Sequence, residues 1–254
     1  ELLNWLSQDA FEDMRLSLSS VRATTVNKKM TNILARRNCK SITIAIESGS
    51  EKIRDLVNKK LTEEEIYSAA RYAHEGGLTR LKLYGMVGLP TEAEEDIELT
   101  TDLLIKLKRK NPGLKFSFGV STFVPKAHTP FQWFGVRNEA KKRLQKIGKK
   151  LKPQGIEVRA ESYGWSIIQA LISRSDRRLA PVIELIRKSD NTLGGWKKAY
   201  KAIQEKNKLS SLKSQLPDWE DIVHQQWEYN RVLPWMHLNG PVKVEQLIKH
   251  QRMS

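Results

Sequence analysis

Apolar residues recur along this chain in two different periods, and the two alternate. Ile42, Ile44 and Ile46 fall on one face of a period-two stretch, with Thr43, Ala45 and Glu47 on the other. Leu81, Leu83 and Val87 repeat that pattern, as do Phe116, Phe118 and Val120 within residues 115–124. An earlier stretch, Arg15 to Arg22, also alternates and predicts a first strand. A further short strand is expected at Ile156 to Ala160. Helical periods lie between: Leu2, Leu3, Leu6 and Phe11 within residues 1–14, then Val26, Met30, Ile33 and Leu34 within 25–37, then a short helix over 51–58.

Two helix starts carry capping boxes, Thr62 with Glu65 and Thr91 with Glu94. The first helix buries Ile66, Ala69, Ala70 and Ala73 and stops at Gly76-Gly77; the second buries Ile97, Leu104 and Leu107 and breaks at Asn111-Pro112-Gly113. A basic helix is expected over 136–152. From Tyr163 onward the pattern is helical, at 167–173, 179–186, 196–203 and 219–227.

The order over residues 1–124 is therefore α-β-α-β-α-β-α-β, which calls for parallel strands joined by right-handed crossovers. Both an open doubly wound sheet and a barrel fit. Ser17, Ser19, Thr43, Glu47, Lys82, Tyr84, Ser117 and Ser121 share the side away from the apolar face. A standard barrel fills its interior with branched aliphatics, and a doubly wound sheet is apolar on both faces. A persistent polar face suits an incomplete barrel whose lumen holds a polar ligand, with edge-exposed positions of an open sheet as the alternative. The expected fold class is α/β: a partial TIM-type barrel of about four parallel strands over residues 1–160, then an α-helical C-terminal extension over 161–254.

Composition narrows the picture. No run of 18 apolar residues occurs among the 254, so no membrane span is expected. The N-terminus lacks the regions of a signal peptide and starts without Met, so the natural start is expected upstream. The net charge is +15. It suits a polyanion such as RNA, although lysines on helix faces (Lys141, Lys142, Lys146, Lys149, Lys150) equally describe a solvated surface. The lone cysteine, Cys39, excludes an intrachain disulfide and fits a cytoplasmic setting. One cysteine also cannot hold an iron–sulfur cluster; as a small buried hydrophobe it needs no ligand role.

Three motifs carry a resemblance. Ile46 to Ser50 ends one strand with Glu47-Ser48-Gly49-Ser50. Gly85 to Glu92 ends the next with Gly85, Gly88, Pro90 and Glu92. Phe123 to Trp133 follows the third with Pro125-Lys126-Ala127-His128-Thr129-Pro130. In order and spacing they resemble the radical S-adenosylmethionine (SAM) superfamily. With Ser175-Asp176-Arg177-Arg178-Leu179, they are similar to its bacterial members that carry an upstream cobalamin-binding-like domain. The resemblance implies a six-stranded partial barrel, of which this chain supplies strands three to six. It also implies a 4Fe–4S cluster on Cys-x3-Cys-x2-Cys, reductive cleavage of SAM, and hydrogen abstraction by a 5′-deoxyadenosyl radical. That cysteine triplet is absent here. A missing N-terminal half or a partner chain is thus expected to complete the barrel and hold the cluster, with cobalamin as a further cofactor the resemblance allows.

By the same resemblance, Glu47 and Ser48 meet the SAM ribose or amino group, and Glu47 capping the following helix is the alternative. Gly85 and Gly88 permit close approach of a nucleoside, or simply strand–helix packing. Lys82 and Tyr84 face the lumen, where Lys82 neutralises a ligand carboxylate or pairs with Glu47. Val124 and Pro125 flank adenine. No metal-ligating set and no catalytic side chain stands out. Arg22 is a further carboxylate-binding candidate. His128 is expected in a loop hydrogen bond rather than as a ligand or base. Trp133, Phe134, Arg137 and Lys141 can clamp an RNA base or pack as a loop. Asp176 reads as a helix N-cap.

The leading expectation is the SAM-binding half of a radical SAM enzyme. The alternative is a non-catalytic basic adaptor that binds RNA or protein. An ordinary phosphate-binding α/β barrel would carry a Gly-rich loop after a late strand, and none stands out.

Overall fold

The computed structural model describes all residues except 1, 6, 12, 209–214 and 254. It divides into two compact units. The first comprises Glu1–Ser121 with Lys142–Ala160, and the second Thr122–Lys141 with Glu161–Ser254.

The first unit is built on one parallel sheet in strand order β1-β2-β3-β4: β1 Ser41–Glu47, β2 Arg80–Val87, β3 Lys115–Thr122 and β4 Glu157–Ala160. Helices α1 (Leu2–Trp5) and α2 (Lys28–Arg36) precede it; α3 (Glu51–Leu56) and α4 (Glu63–Glu75) link β1 to β2. Helix α5 (Glu94–Lys110) links β2 to β3, and α6 (Ala140–Leu151) precedes β4. The expected α/β architecture is present. Ile42, Ile44, Ile46, Leu81 and Leu83 are buried, and the α4 stripe of Ile66, Ala69, Ala70 and Ala73 is buried as the periodicity requires. The Thr62 box forms in full, with Thr62 accepting from the Glu65 N–H and Glu65 Oε2 accepting from the Thr62 N–H.

Several local expectations are corrected. Arg15 to Arg22 forms no strand. Only Val21 bridges to Ile44, and the backbone bonds go to scattered acceptors, from Leu16 to Arg37 and from Val21 to Thr43, so no ladder propagates. The fourth strand is Glu157–Ala160 instead. The second helix start lies at Ala93 rather than Thr91: Thr91 takes a left-handed φ of 59°, and Asp96 reaches back to the Ala93 N–H. Alanine has no side-chain acceptor, so only half a box exists there. Within residues 1–14, the described helical pieces are Leu2–Trp5 and a 3-10 turn at Asp9–Phe11; Leu6 lies outside the described residues. The polar sheet face is real on β1 and β2, whose positions alternate between half-exposed and buried. On β3, Ser117 and Gly119 are buried.

In the second unit, α7 (Tyr163–Arg174), α8 (Ala180–Ile186), α9 (Leu193–Lys208), α10 (Trp219–Val223) and α11 (Val244–Met253) surround an aromatic core that includes Trp133, Trp196, Tyr200, Trp227 and Trp235. Helix α10 ends at Val223, short of the expected 227, and α11 was not foreseen. The loop that carries Trp133 is sewn in by backbone bonds, Val136 N–H to Val223 O at 2.8 Å and Trp227 N–H to Trp133 O at 2.7 Å. Gly135 is required there, because a Cβ would meet the His224 carbonyl oxygen at 2.1 Å. No helix among the described residues is long and apolar enough to cross a membrane.

Candidate functional site

Parallel strands end together on one edge of a sheet, so the turns after β1 and β2 come to lie side by side. Both turns bend sharply. β1 carries a bulge between Ala45 and Glu47, and Glu47 itself adopts a φ of 64°. The Ser48 N–H bonds back to the Ile46 carbonyl at 2.9 Å, which closes a tight turn centred on Glu47. A left-handed glutamate is costly unless its surroundings impose it, and these surroundings do.

Arg54, on α3, is fully buried. Its Nη1 donates to the carbonyls of Ser48 (3.1 Å) and Gly49 (2.9 Å), and its Nε donates to Leu61 O. The guanidinium thus ties the turn after β1 to the loop before α4. Helix α5 holds the same turn from the other side. Thr100 Oγ1 accepts from the Gly49 N–H at 2.9 Å and lies 3.1 Å from Ser48 Oγ. The Thr100 proton goes to the Asp96 carbonyl at 2.8 Å, so Ser48 is the donor of that pair. Asp96 accepts from Ser50 Oγ at 2.6 Å and from Lys52 Nζ at 3.3 Å. Burial pushes the Asp96 carboxyl up, but the bonds from Ser50, Ala93 and Lys52 outweigh it and hold it below the usual range.

The turn after β2 is held by Glu92, whose Oε2 accepts from the Gly88 N–H at 2.6 Å. Arg143 of α6 donates to the same oxygen at 2.7 Å and to the Glu92 carbonyl at 3.0 Å. Both side chains are buried, 5% and 1% exposed, so this is an interior ion pair, expensive to break from one side. Burial raises the Glu92 carboxyl above its usual range, against the Gly88 N–H and the Arg143 charge.

The expected site residues therefore separate by role. Glu47 is half-buried and paired with Lys59 at 2.9 Å, neither with Lys82 nor as a cap of α3. Ser48 is buried and spent on Thr100 and Ser50. Gly85 sits where a Cβ would lie 2.6 Å from the Glu47 carbonyl and 2.8 Å from Phe118 Cζ, so packing alone demands glycine. Gly88 combines a φ of 82° with an N–H already given to Glu92. Lys82 and Tyr84 remain on the open face, and Tyr84 is 47% exposed. Its ring lies over Gly119, where a Cβ would sit 2.6 Å from Tyr84 Cε1. The structure thus brings Glu47, Ser48, Lys82, Tyr84, Gly85 and Gly88 together on β1, β2 and their turns.

Val124 and Pro125 belong to the second unit: Val124 joins its hydrophobic core, and the Pro125 carbonyl accepts from Ser173 at 3.5 Å. In that unit His128 engages through its backbone N–H, which bonds to Gln132 Oε1 at 3.0 Å. Trp133 is fully buried, so it packs its loop and offers no ring to a base. Arg22 is exposed ahead of a 3-10 turn, and Asp176 does cap, accepting from the Arg178 N–H. Cys39 is buried with Sγ 3.3 Å from the Ser41 carbonyl, and no group of three metal-ligating side chains occurs among the described residues.

Sequence reasoning missed Arg54, Lys59, Thr100 and Gly119. Arg54 has one sequence signal, its place between the apolar residues Ile53 and Leu56 on a very short helix. The other three act through tertiary contact and leave no local trace.

A parallel sheet with braced turns at its strand ends and an open polar face is the architecture of α/β proteins that bind ligands at that edge. Residues 6–104 match the family model of the radical SAM superfamily. The match covers the turns after β1 and β2; the Phe123 to Trp133 motif lies outside it. An uncharacterized protein of Methanocaldococcus jannaschii is 35% identical over 200 residues, 78% of this chain and 43% of that protein. An uncharacterized methyltransferase of Pyrococcus horikoshii is 29% identical over 89 residues, 35% of this chain and 19% of that protein. The chain thus spans less than half the length of either relative.

Proposed function

We propose that this chain is the SAM-binding half of a radical SAM enzyme. The observation that carries the reading is the coincidence of the superfamily match with two rigidly braced strand-end turns beside an open polar face. The donor set suits SAM. Glu47 offers a carboxylate for ribose hydroxyls or the amino group. Lys82 offers a cation for the carboxylate, and Tyr84 offers a ring and a hydroxyl beside them. The Ser48 hydroxyl and the Gly88 N–H are engaged within the protein, where they hold Glu47 and the β2 turn in place. SAM, when bound, supplies the adenosyl and methionyl groups of the superfamily's chemistry. This chain's part is to orient it: Arg54, Thr100 and Glu92 fix the turns in advance, so little ordering remains to be done on binding.

A 4Fe–4S cluster does not fit the residues present. The chain has one cysteine, buried before β1 with its sulfur toward a backbone carbonyl. Cluster ligands would have to come from another segment. The name of the Pyrococcus relative, a methyltransferase, accords with use of SAM without fixing the reaction.

Calorimetric titration of the 254-residue chain with SAM tests the reading. Saturable binding is expected, weakened about tenfold, or roughly 1.4 kcal/mol, in Glu47→Ala and in Lys82→Ala. Absence of binding, or binding indifferent to both substitutions, overturns it.

A further inference from the structure

The second unit contains a cleft of about 940 Å3 for which the SAM reading has no use. Its lining includes Arg174 at the end of α7, Arg177 and Arg178 just after it, and Arg231 with the residues up to His237. Two of these cations are already matched. Arg178 pairs with Asp176 at 2.8 Å, and Arg231 pairs with Asp221 at 2.6 Å.

The other two are not. Arg177 is exposed and makes no salt bridge among the described residues. Arg174 is fully buried, donating Nη1 to Ile222 O at 2.6 Å and Nη2 to Gln225 O at 2.9 Å. It rests 3.8 Å from the Trp227 ring centroid, and its Nε has no hydrogen-bond partner among the described residues. Its acceptors are carbonyls, so its charge is solvated without being neutralised. Burial pushes the guanidinium down to about 9, with Asp221 opposing, and it stays protonated at neutral pH. A buried cation in the wall of a concave, low-dielectric space focuses positive potential into that space.

Beside Ser173, Ser175, Asp176 and His237, the remainder of the lining is apolar. Trp227 and Trp235 lie 6.2 Å apart, and Val232 and Met236 stand 82% and 40% exposed. Exposed branched and thioether side chains beside a charged wall are what an amphipathic ligand requires.

We infer that this cleft binds a phosphate-bearing organic anion of mononucleotide size, with its phosphate toward Arg174 and Arg177 and its apolar body against Trp235 and Val232. A phosphomonoester carries between one and a half and two negative charges at neutral pH, which matches two unneutralised guanidinium groups where a carboxylate would match one. Arg177 supplies direct contact, and Arg174 acts through its field from within the wall. The inference does not depend on SAM binding by the first unit.

The test is calorimetry of the whole chain with AMP, with adenosine and inorganic phosphate as probes lacking the charge or the body. AMP is expected to bind at least tenfold more tightly than either. Arg177→Ala and Val232→Asp alter exposed side chains and leave the core untouched; each is expected to weaken AMP at least fivefold. Equal binding of AMP and adenosine, or AMP binding unchanged in both variants, overturns the inference. So does AMP binding that is lost in Glu47→Ala, which would put the nucleotide on the sheet edge of the first unit.

Discussion

Arg54→Met is the most direct probe of how the turn after β1 is held. Methionine keeps much of the unbranched stem and removes all three hydrogen bonds to Ser48, Gly49 and Leu61. Bonds from a charged donor contribute about 1.5–3 kcal/mol each, so three amount to roughly 4.5–9 kcal/mol gross. Against this, the variant no longer buries a guanidinium. That cost is several kcal/mol, and it is visible as burial lowering the Arg54 pKa in spite of Glu51, Glu63 and Asp55 nearby. The carbonyls decide the sign, because they stay buried and gain no new donor. A net loss of about 2–4 kcal/mol is expected, a large share of the 5–15 kcal/mol typical of a domain. Urea denaturation should show a lower midpoint at unchanged slope, and hydrogen exchange should place the lost protection at residues 48–61. A midpoint equivalent to within about 0.5 kcal/mol of the parent, with unchanged exchange, would refute the bracing argument. It would also leave the left-handed Glu47 without its explanation.

Gly49→Ala should cost about 1–3 kcal/mol or more, because its Cβ would fall 2.4 Å from Thr100 Cα and 2.7 Å from Leu99 O, backbone that cannot swing aside; thermal denaturation measures it. Gly119→Ala meets the ring of the half-exposed Tyr84 instead, so stability should change by less than about 1 kcal/mol while SAM affinity falls. The α5–α6 charge ladder, in which Lys146 and Lys150 hold Glu98 down to about 2, should respond to pH and salt. A depressed folded pKa gives stability above the usual carboxylate range that is lost as pH falls toward about 2. Glu98→Gln should therefore lower the melting temperature slightly at neutral pH, and the difference should vanish in acid and shrink in concentrated salt. A difference independent of both would count against an electrostatic origin.

Strand and helix periods reported the first unit well, because a side chain's alternation between core and solvent is written locally. Ile42, Ile44 and Ile46 lie buried on one face, and Thr62 with Glu65 caps a helix as read. The same logic misled at Arg15 to Arg22, where alternation was present but partner strand backbone was not. It placed a cap at Thr91 although the chain turns left-handed there. The motifs at Glu47 and Gly85 to Glu92 located the candidate edge and the superfamily. Their side chains did not show which would face a ligand and which would face inward.

Which of these side chains are engaged within the protein depends on long-range partners. Ser48 is consumed by Thr100, fifty-two positions away, and Glu92 by Arg143, fifty-one away. Composition and spacing show that a chain has a polar strand end, a single cysteine and an excess of cations. Whether a given serine, glycine or arginine is free to meet a ligand depends on which acceptors and donors surround it once the chain is closed. Hydrogen bonds are short and saturable, so only the tertiary structure could separate Lys82 and Tyr84, left open, from Ser48 and Gly88, already used.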